Sequence, residues 1–288
     1  MISIAMMGIS LGGTFLSPFL SWTIGMFGWR RAYFILGAVS LCVLIPISAF
    51  IVRRSPEDVG LFPYGHGEES SGKHGKNKSV PANSWNATLS EARKTPILWM
   101  FAAGGFLIYF TSCIMGHMSY YLQTTGFDPS SIAAYISVYS IVALAGKLVL
   151  GHMFDRFGPK GGILFGCGTF FICFIMVQGG PLMLYLSAVF YGFGTCTATV
   201  AIPIMTTSIF GSKNYSEIYG FISAFTMTGG AIGSSGIGLA YDITGSYKPA
   251  LTILALLTVL TIVIMFICIN LSQKRVEKPA DKCVQMPA

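Results

Sequence analysis

Of the 18 Lys and Arg residues in this 288-residue chain, Lys147 alone lies inside a long apolar run, the one from Ser130 to Phe154. At 1.5 Å per helical residue it sits roughly 12 Å from Asp155 and about 25 Å from Ser130. A charge at that depth is costly unless it faces a cavity or a partner. No acidic residue lies deep in any apolar run, and an anionic substrate is the counter-charge this pattern suggests. Snorkelling towards the nearer end, or pairing with residues outside this chain, is the alternative. Two helical turns earlier, Ser140 falls on nearly the same face, with Tyr139 to one side. Tyrosine hydroxyls donate to carboxylates while their rings wall a small site, and core packing is the alternative for both residues. His117 and Tyr121 lie near the end of another apolar run, Pro96–Leu122. A histidine there binds substrate or carries a proton, and a hydrogen-bonded structural histidine is the equal alternative.

Other chemistry has no support. There is no zinc-ligand spacing, no phosphate-cradling P-loop, no G-x-S-x-G elbow and no carboxylate pair within an apolar run. The expectation is therefore no enzyme, no cofactor and no metal. The seven cysteines form no C-x-x-C pair and most lie in apolar runs, where they read as small hydrophobes.

The elements that must position these residues are membrane spans. Hydrophobic residues make up 53% of the chain and charged ones only 10%. A soluble globular domain carries about 25% charge, so a soluble enzyme or nucleic-acid binder is excluded, as is intrinsic disorder. A span takes about 20 apolar residues. Eight segments qualify: Met1–Met26, Ala32–Val52, Pro96–Leu122, Ser130–Phe154, Gly161–Gly179, Pro181–Phe210, Ile218–Ala240 and Pro249–Leu271. Pro203 predicts a kink in the sixth. Trp22, Trp29 and Trp99 sit near span ends and read as interface anchors. No basic region precedes the first span, so no cleavable signal peptide is expected.

The net charge of +7 is a topology signal. If the polar stretch Arg53–Thr95 is cytoplasmic, 14 of the 18 basic residues fall on that side, and Arg30, Arg31 and Lys248 on the other. Basic residues mark the cytoplasmic side, which places both termini there. The middle of the stretch, Gly65–Ser84, is rich in Gly, Ser and Lys and reads as flexible. Its end carries Thr88-Leu-Ser-Glu91, a capping box ahead of Pro96, and predicts a short helix. The N-x-[ST] sequons at Asn86 and Asn214 fall on the cytoplasmic side and read as chance matches.

An internal repeat completes the layout. Met6-Met-Gly8-Ile-Ser-Leu-Gly12 in the first span parallels Met227-Thr-Gly229-Gly-Ala-Ile-Gly233 in the seventh, at an offset of 221 residues. Similar turns follow, at Gly28 and at Gly245. Gly8, Gly12, Gly229 and Gly233 read as helix-packing positions. A parallel repeat of six-helix halves would make the first two spans the end of one half and the last six a second complete half. Two glycine-rich packing faces are the plainer explanation. On the first reading the domains are 1–52, the inter-half loop 53–95, the six-helix half 96–271 and a cytoplasmic tail 272–288, with four earlier helices lacking.

The run Gly151-His-Met-Phe-Asp155-Arg156-Phe-Gly158-Pro-Lys160 resembles the G-x-x-x-D-R-x-G-x-[KR] loop of the major facilitator superfamily, which joins the second and third helices of each half. Here it joins the second and third helices of the half that starts at Pro96. Gly28-Trp29-Arg30, Arg54-Ser-Pro56-Glu57-Asp58-Val59-Gly60-Leu61-Phe-Pro63, Phe210-Gly-Ser-Lys213-Asn214-Tyr215 and Tyr241-Asp242-Ile-Thr244-Gly245 resemble the oxalate/formate antiporter and monocarboxylate transporter branch. The resemblance implies an all-α polytopic bundle with eight transmembrane helices in this chain. It implies transport of a small organic anion by alternating access, as proton symport or anion exchange, in a plasma or inner membrane. Its partners are the anion, protons and the lipid bilayer, and not nucleic acid. Gly146-Lys147 falls where relatives carry a basic residue, more often Arg, that contacts the substrate carboxylate. His117 and Tyr121 match a His-x-x-x-Tyr-like pattern. Gly151, Asp155, Arg156, Gly158 and Lys160 form a gating loop. Oxalate carriers of the branch have a Lys in the seventh-span helix, and none lies between Ile218 and Ala240, which favours a monocarboxylate. A transport-inactive truncated product and a transporter-derived receptor or interaction protein are the alternatives.

Overall fold

The computed structural model describes residues 2–51 and 87–284, and every regular element among them is helical. The chain divides into two compact units, one of residues 11–78 and the other of 79–288 together with 1–10. The expectations for Gly65–Ser84, the Arg54–Pro63 motif and the Asn86 sequon lie outside the described residues.

Helix α1 runs Ile2–Pro46 and is broken at Gly28, whose backbone (φ 77°, ψ 161°) lies in a region that only glycine occupies readily. One π-helical turn, Ile47–Ile51, continues it. Its second arm turns large apolar side chains outward, Phe34 and Phe50 among them, as a lipid-facing helix does.

The larger unit begins with α2 (Leu89–Arg93), the short helix its capping box predicts. Thr88 Oγ1 accepts the Glu91 N–H, and the Glu91 carboxylate accepts the Thr88 N–H at 2.9 Å. That backbone bond first, and the Thr88 hydroxyl second, hold the Glu91 carboxyl below its ordinary value. The residue ahead of the helix is pinned to the bundle. Ala87 N–H donates to Phe210 O (3.2 Å), and Asn214 Nδ2 donates to Ala87 O (2.9 Å). The nitrogen that a glycan would need at Asn214 is thus engaged in the fold.

The bundle follows: α3 (Pro96–Ser112), α4 (Met115–Thr124), α5 (Pro129–Met176), α6 (Pro181–Cys196), a π-helical turn Thr197–Ala201, α7 (Ile202–Phe210), α8 (Tyr215–Thr244) and α9 (Lys248–Val284). Two features differ from the sequence expectation. The third span is interrupted between α3 and α4, around Cys113 and Ile114. In the sixth, the irregularity is the π turn Thr197–Ala201 just ahead of Pro203; the backbone stays helical through Ala201 and Ile202, so the wider turn accommodates the N–H that Pro203 lacks. The fourth and fifth spans form one helix, α5, that reverses at Gly158 (φ 71°, ψ −175°) with Pro159 opening the second arm.

Among the described residues, five helical stretches are long and apolar enough to cross a membrane: Trp22–Phe50, Pro96–Thr124, Ala134–Met176, Leu182–Phe210 and Lys248–Arg275. Ala134–Met176 has 43 residues, about 65 Å of helix, and contains the Gly158 break, so it has length for two crossings. Helix α8 has the length of a span, but its Gly, Ser and Thr keep it out of this set. Small residues suit it to helix contact instead. A β-carbon on Gly229 would strike the Phe106 carbonyl, and one on Gly233 would lie 2.8 Å from Phe110 O. Helices α3 and α8 therefore meet backbone to backbone. A β-carbon on Gly8 would meet no described atom within 4 Å. The turns paired by the repeat differ in detail, since Gly28 is extended in ψ whereas Gly245 is left-handed helical (φ 67°, ψ 8°).

Candidate substrate site

Helices α5 and α6 define the candidate site. They approach closely because both carry glycines at the contact. A β-carbon on Gly146 would lie 2.9 Å from Cys196 Sγ, and one on Gly192 would lie 2.8 Å from Tyr139 O. The Cys196 thiol donates across the seam to Ala143 O at 3.2 Å. The next residue after Gly146 is Lys147, which this seam shields to 3% exposure. Cys196 of α6 is a near neighbour of Lys147. A buried ammonium on a span is the arrangement that a small carboxylate complements.

Tyr139 and Ser140 lie on the same arm of α5 and are half-buried. Ser140 Oγ donates to Ile136 O at 2.7 Å, the back-bond of a helical serine. The Tyr139 ring stands edge-on to Tyr191 of α6, with centroids 5.6 Å apart. Lys147 and Tyr139 are thus both held against α6.

His117 and Tyr121 are anchored elsewhere. His117 Nε2 lies 3.0 Å from the carbonyl oxygen of Ser234 in α8. A carbonyl only accepts, so Nε2 carries the hydrogen. The buried Tyr121 hydroxyl donates to Val177 O at 3.1 Å. Both rings pack on Tyr247, which stacks on Tyr241 with centroids 4.5 Å apart. These contacts join α4 to the α8–α9 turn.

The loop residues surround the α5 reversal. Gly151 is buried, Asp155 and Arg156 are exposed, and Lys160 is half-buried beyond Gly158. The Arg156 guanidinium stacks over the neighbouring Phe157 ring at 5.4 Å.

A separate cavity of about 430 Å³ lies between α3 and α8, lined by Trp99, Ala102, Ala103, Phe106, Leu107 and Phe225. Its lining has no charge and does not suit an anion.

Sequence reasoning missed the interruption between α3 and α4 and the part of Tyr191. Neither has a local signal: Ser112-Cys113-Ile114 contains no helix breaker, and Tyr191 is one aromatic among many in α6.

The profile of the Major Facilitator Superfamily matches residues 1–176 and 100–284. The chain belongs to the major facilitator superfamily. Within the superfamily it is similar to monocarboxylate transporter 12 of Mus musculus, 24% identical over 299 residues, covering 96% of this chain and 61% of the relative. It is similar to monocarboxylate transporter 13 of Rattus norvegicus at 24% identity, covering 99% of this chain and 64% of the relative. It is also similar to the glycerol-3-phosphate transporter of Bacillus subtilis (strain 168) at 22% identity, covering 77% and 52%. The chain spans between half and two-thirds of the length of these curated relatives. Membership also accounts for the helical bundle, and it agrees with the absence of enzyme motifs in the sequence.

Proposed function

We propose that the protein takes part in secondary transport of a small monocarboxylate-like anion, with Lys147 as its contact for the carboxylate. The observation that carries this is a lysine buried on a membrane helix where glycines bring α5 and α6 together. An ammonium in that low-dielectric seam attracts a single carboxylate strongly, and the Tyr139 hydroxyl is a further donor on the same arm of α5, about 12 Å along the axis. The relatives named as monocarboxylate transporters support the substrate class.

Transport follows alternating access. The superfamily halves rock about a midplane site, and the loop from Gly151 to Lys160 serves as a hinge and charge clamp on the cytoplasmic face. Both termini lie in the cytoplasm by the distribution of basic residues. The chain supplies two helices of the first half and the whole second half, eight spans in all. Coupling is to protons or to a counter-anion.

Reconstitution in proteoliposomes tests the reading. Uptake of a labelled monocarboxylate should exceed that of a dicarboxylate of similar size. Lys147→Ala should abolish it while leaving the melting temperature of the detergent-solubilised protein unchanged. Wild-type uptake that survives Lys147→Ala would remove Lys147 from the site.

A further inference from the structure

The interruption between α3 and α4 changes the local hydrogen bonding. In a continuous helix the Gly116 N–H would bond Ser112 O, four residues back. Here it bonds Cys113 O at 3.1 Å. The Ser112 carbonyl is thereby released inside a span, where an unsatisfied carbonyl is costly. The hydroxyl of Tyr191 takes its place, donating to Ser112 O at 2.6 Å. Tyr191 is 2% exposed, so it does not itself face a substrate. Its ring is also the surface against which Tyr139 stands edge-on.

A second bond holds the same turn. The Cys113 thiol shares its one hydrogen between Gly230 O of α8 at 3.0 Å and Tyr109 O of its own helix at 3.2 Å. One turn further along each helix, His117 bonds Ser234 O. The broken helix is therefore fastened on both sides of the break, by Tyr191 to α6 and by Cys113 and His117 to α8.

We propose that Tyr191 is a positioning residue that ties the α3–α4 break to the substrate face of α5. One end of its side chain completes the hydrogen bonding of the break, and the other sets the Tyr139 ring. An anion that draws on the Tyr139 hydroxyl would load this link, and movement at the break would reach Tyr139 through it. The second step rests on the proposed function; the first does not.

The test separates the two. Tyr191→Phe keeps the ring and removes only the hydroxyl. In hydrogen–deuterium exchange on the purified protein, amides 113–118 should exchange about five- to tenfold faster, the loss expected for one hydrogen bond, while amides of α9 do not change. Unchanged exchange at 113–118 would overturn the proposal, whatever the protein transports. Where wild type takes up a monocarboxylate, Tyr191→Phe should also raise its KM several-fold, and Tyr139→Phe should add little to that change. Additive effects of the two substitutions would break the link to the substrate face and leave Tyr191 a structural cap. Should Tyr191→Phe fail to fold, the infrared amide I band of an isotope-labelled Ser112 carbonyl in the wild-type protein should lie at the lowered frequency of a carbonyl that accepts a strong hydrogen bond. The frequency of a free carbonyl there would equally overturn the proposal.

Discussion

The α5–α6 seam and the α4–α8–α9 corner both contain residues of the types that anion transport uses, yet they are built on different terms. At the corner the polar atoms of His117 and Tyr121 are committed to the backbone carbonyls of Ser234 and Val177, and the aromatic rings close round Tyr247. Such bonds fix one arrangement of helices. At the seam, glycines draw two helices together around a buried ammonium. A charge demands far more of its surroundings than a hydroxyl does, so it is the better pointer to a ligand. The bonded His117 and Tyr121 thus mark a joint, and the buried Lys147 is the residue that carries the proposed site.

The comparison breaks most readily at helix contacts. Gly229→Ala forces a β-carbon onto the Phe106 carbonyl, and backbone cannot step aside as a side chain can. The expected loss is about 2 kcal/mol, read as a lower melting temperature, with weaker binding following from lost folding. Gly8→Ala, where the added carbon would meet no described atom within 4 Å, should not lower the melting temperature.

A smaller effect sharpens the contrast at the corner. Tyr121→Phe deprives Val177 O of its donor and should cost about 1 kcal/mol of stability. It should not alter KM for a carboxylate. A KM that rises without loss of stability would move Tyr121 from joint to site.

The smallest effect is at α2. Glu91 has a depressed pKa, so its cap contributes stability above the unfolded value near 4.5 and loses it as pH falls through the lower folded value. Amide exchange in 88–93, corrected for its intrinsic pH dependence, should rise on acidification below about pH 4. Thr88→Ala should raise it at neutral pH by an amount matching about 1 kcal/mol at most.

How much of this was legible in the sequence follows from the signals involved. Lys147 stood out because a single cation in an apolar run calls for a cavity, a partner or a route to the surface, and each of these is a specific expectation. The capping box at Thr88 was readable because it rests on local chemistry, a side chain reaching its own backbone, whereas the turn at Gly158 was readable from the loop motif between two apolar runs and its positive φ was not. The break at Cys113 was not. Its cause is long-range: Tyr191 and Gly230 offer bonds that replace the helical one, and they lie 79 and 117 residues away. Pro203 predicted an irregularity, but the strain is relieved in the π turn just before it. Helix α8 shows the limit of hydropathy, because residues chosen for close packing with α3 are not the most apolar ones.

The central claim is that Lys147 meets the carboxylate. Its most direct test is equilibrium binding of a labelled monocarboxylate to the purified protein, which needs no transport cycle. Binding to wild type should be saturable, with at least about a tenfold loss in Lys147→Ala and substantial recovery in Lys147→Arg, which keeps the charge. Equal affinity in wild type and Lys147→Ala would contradict that role of Lys147.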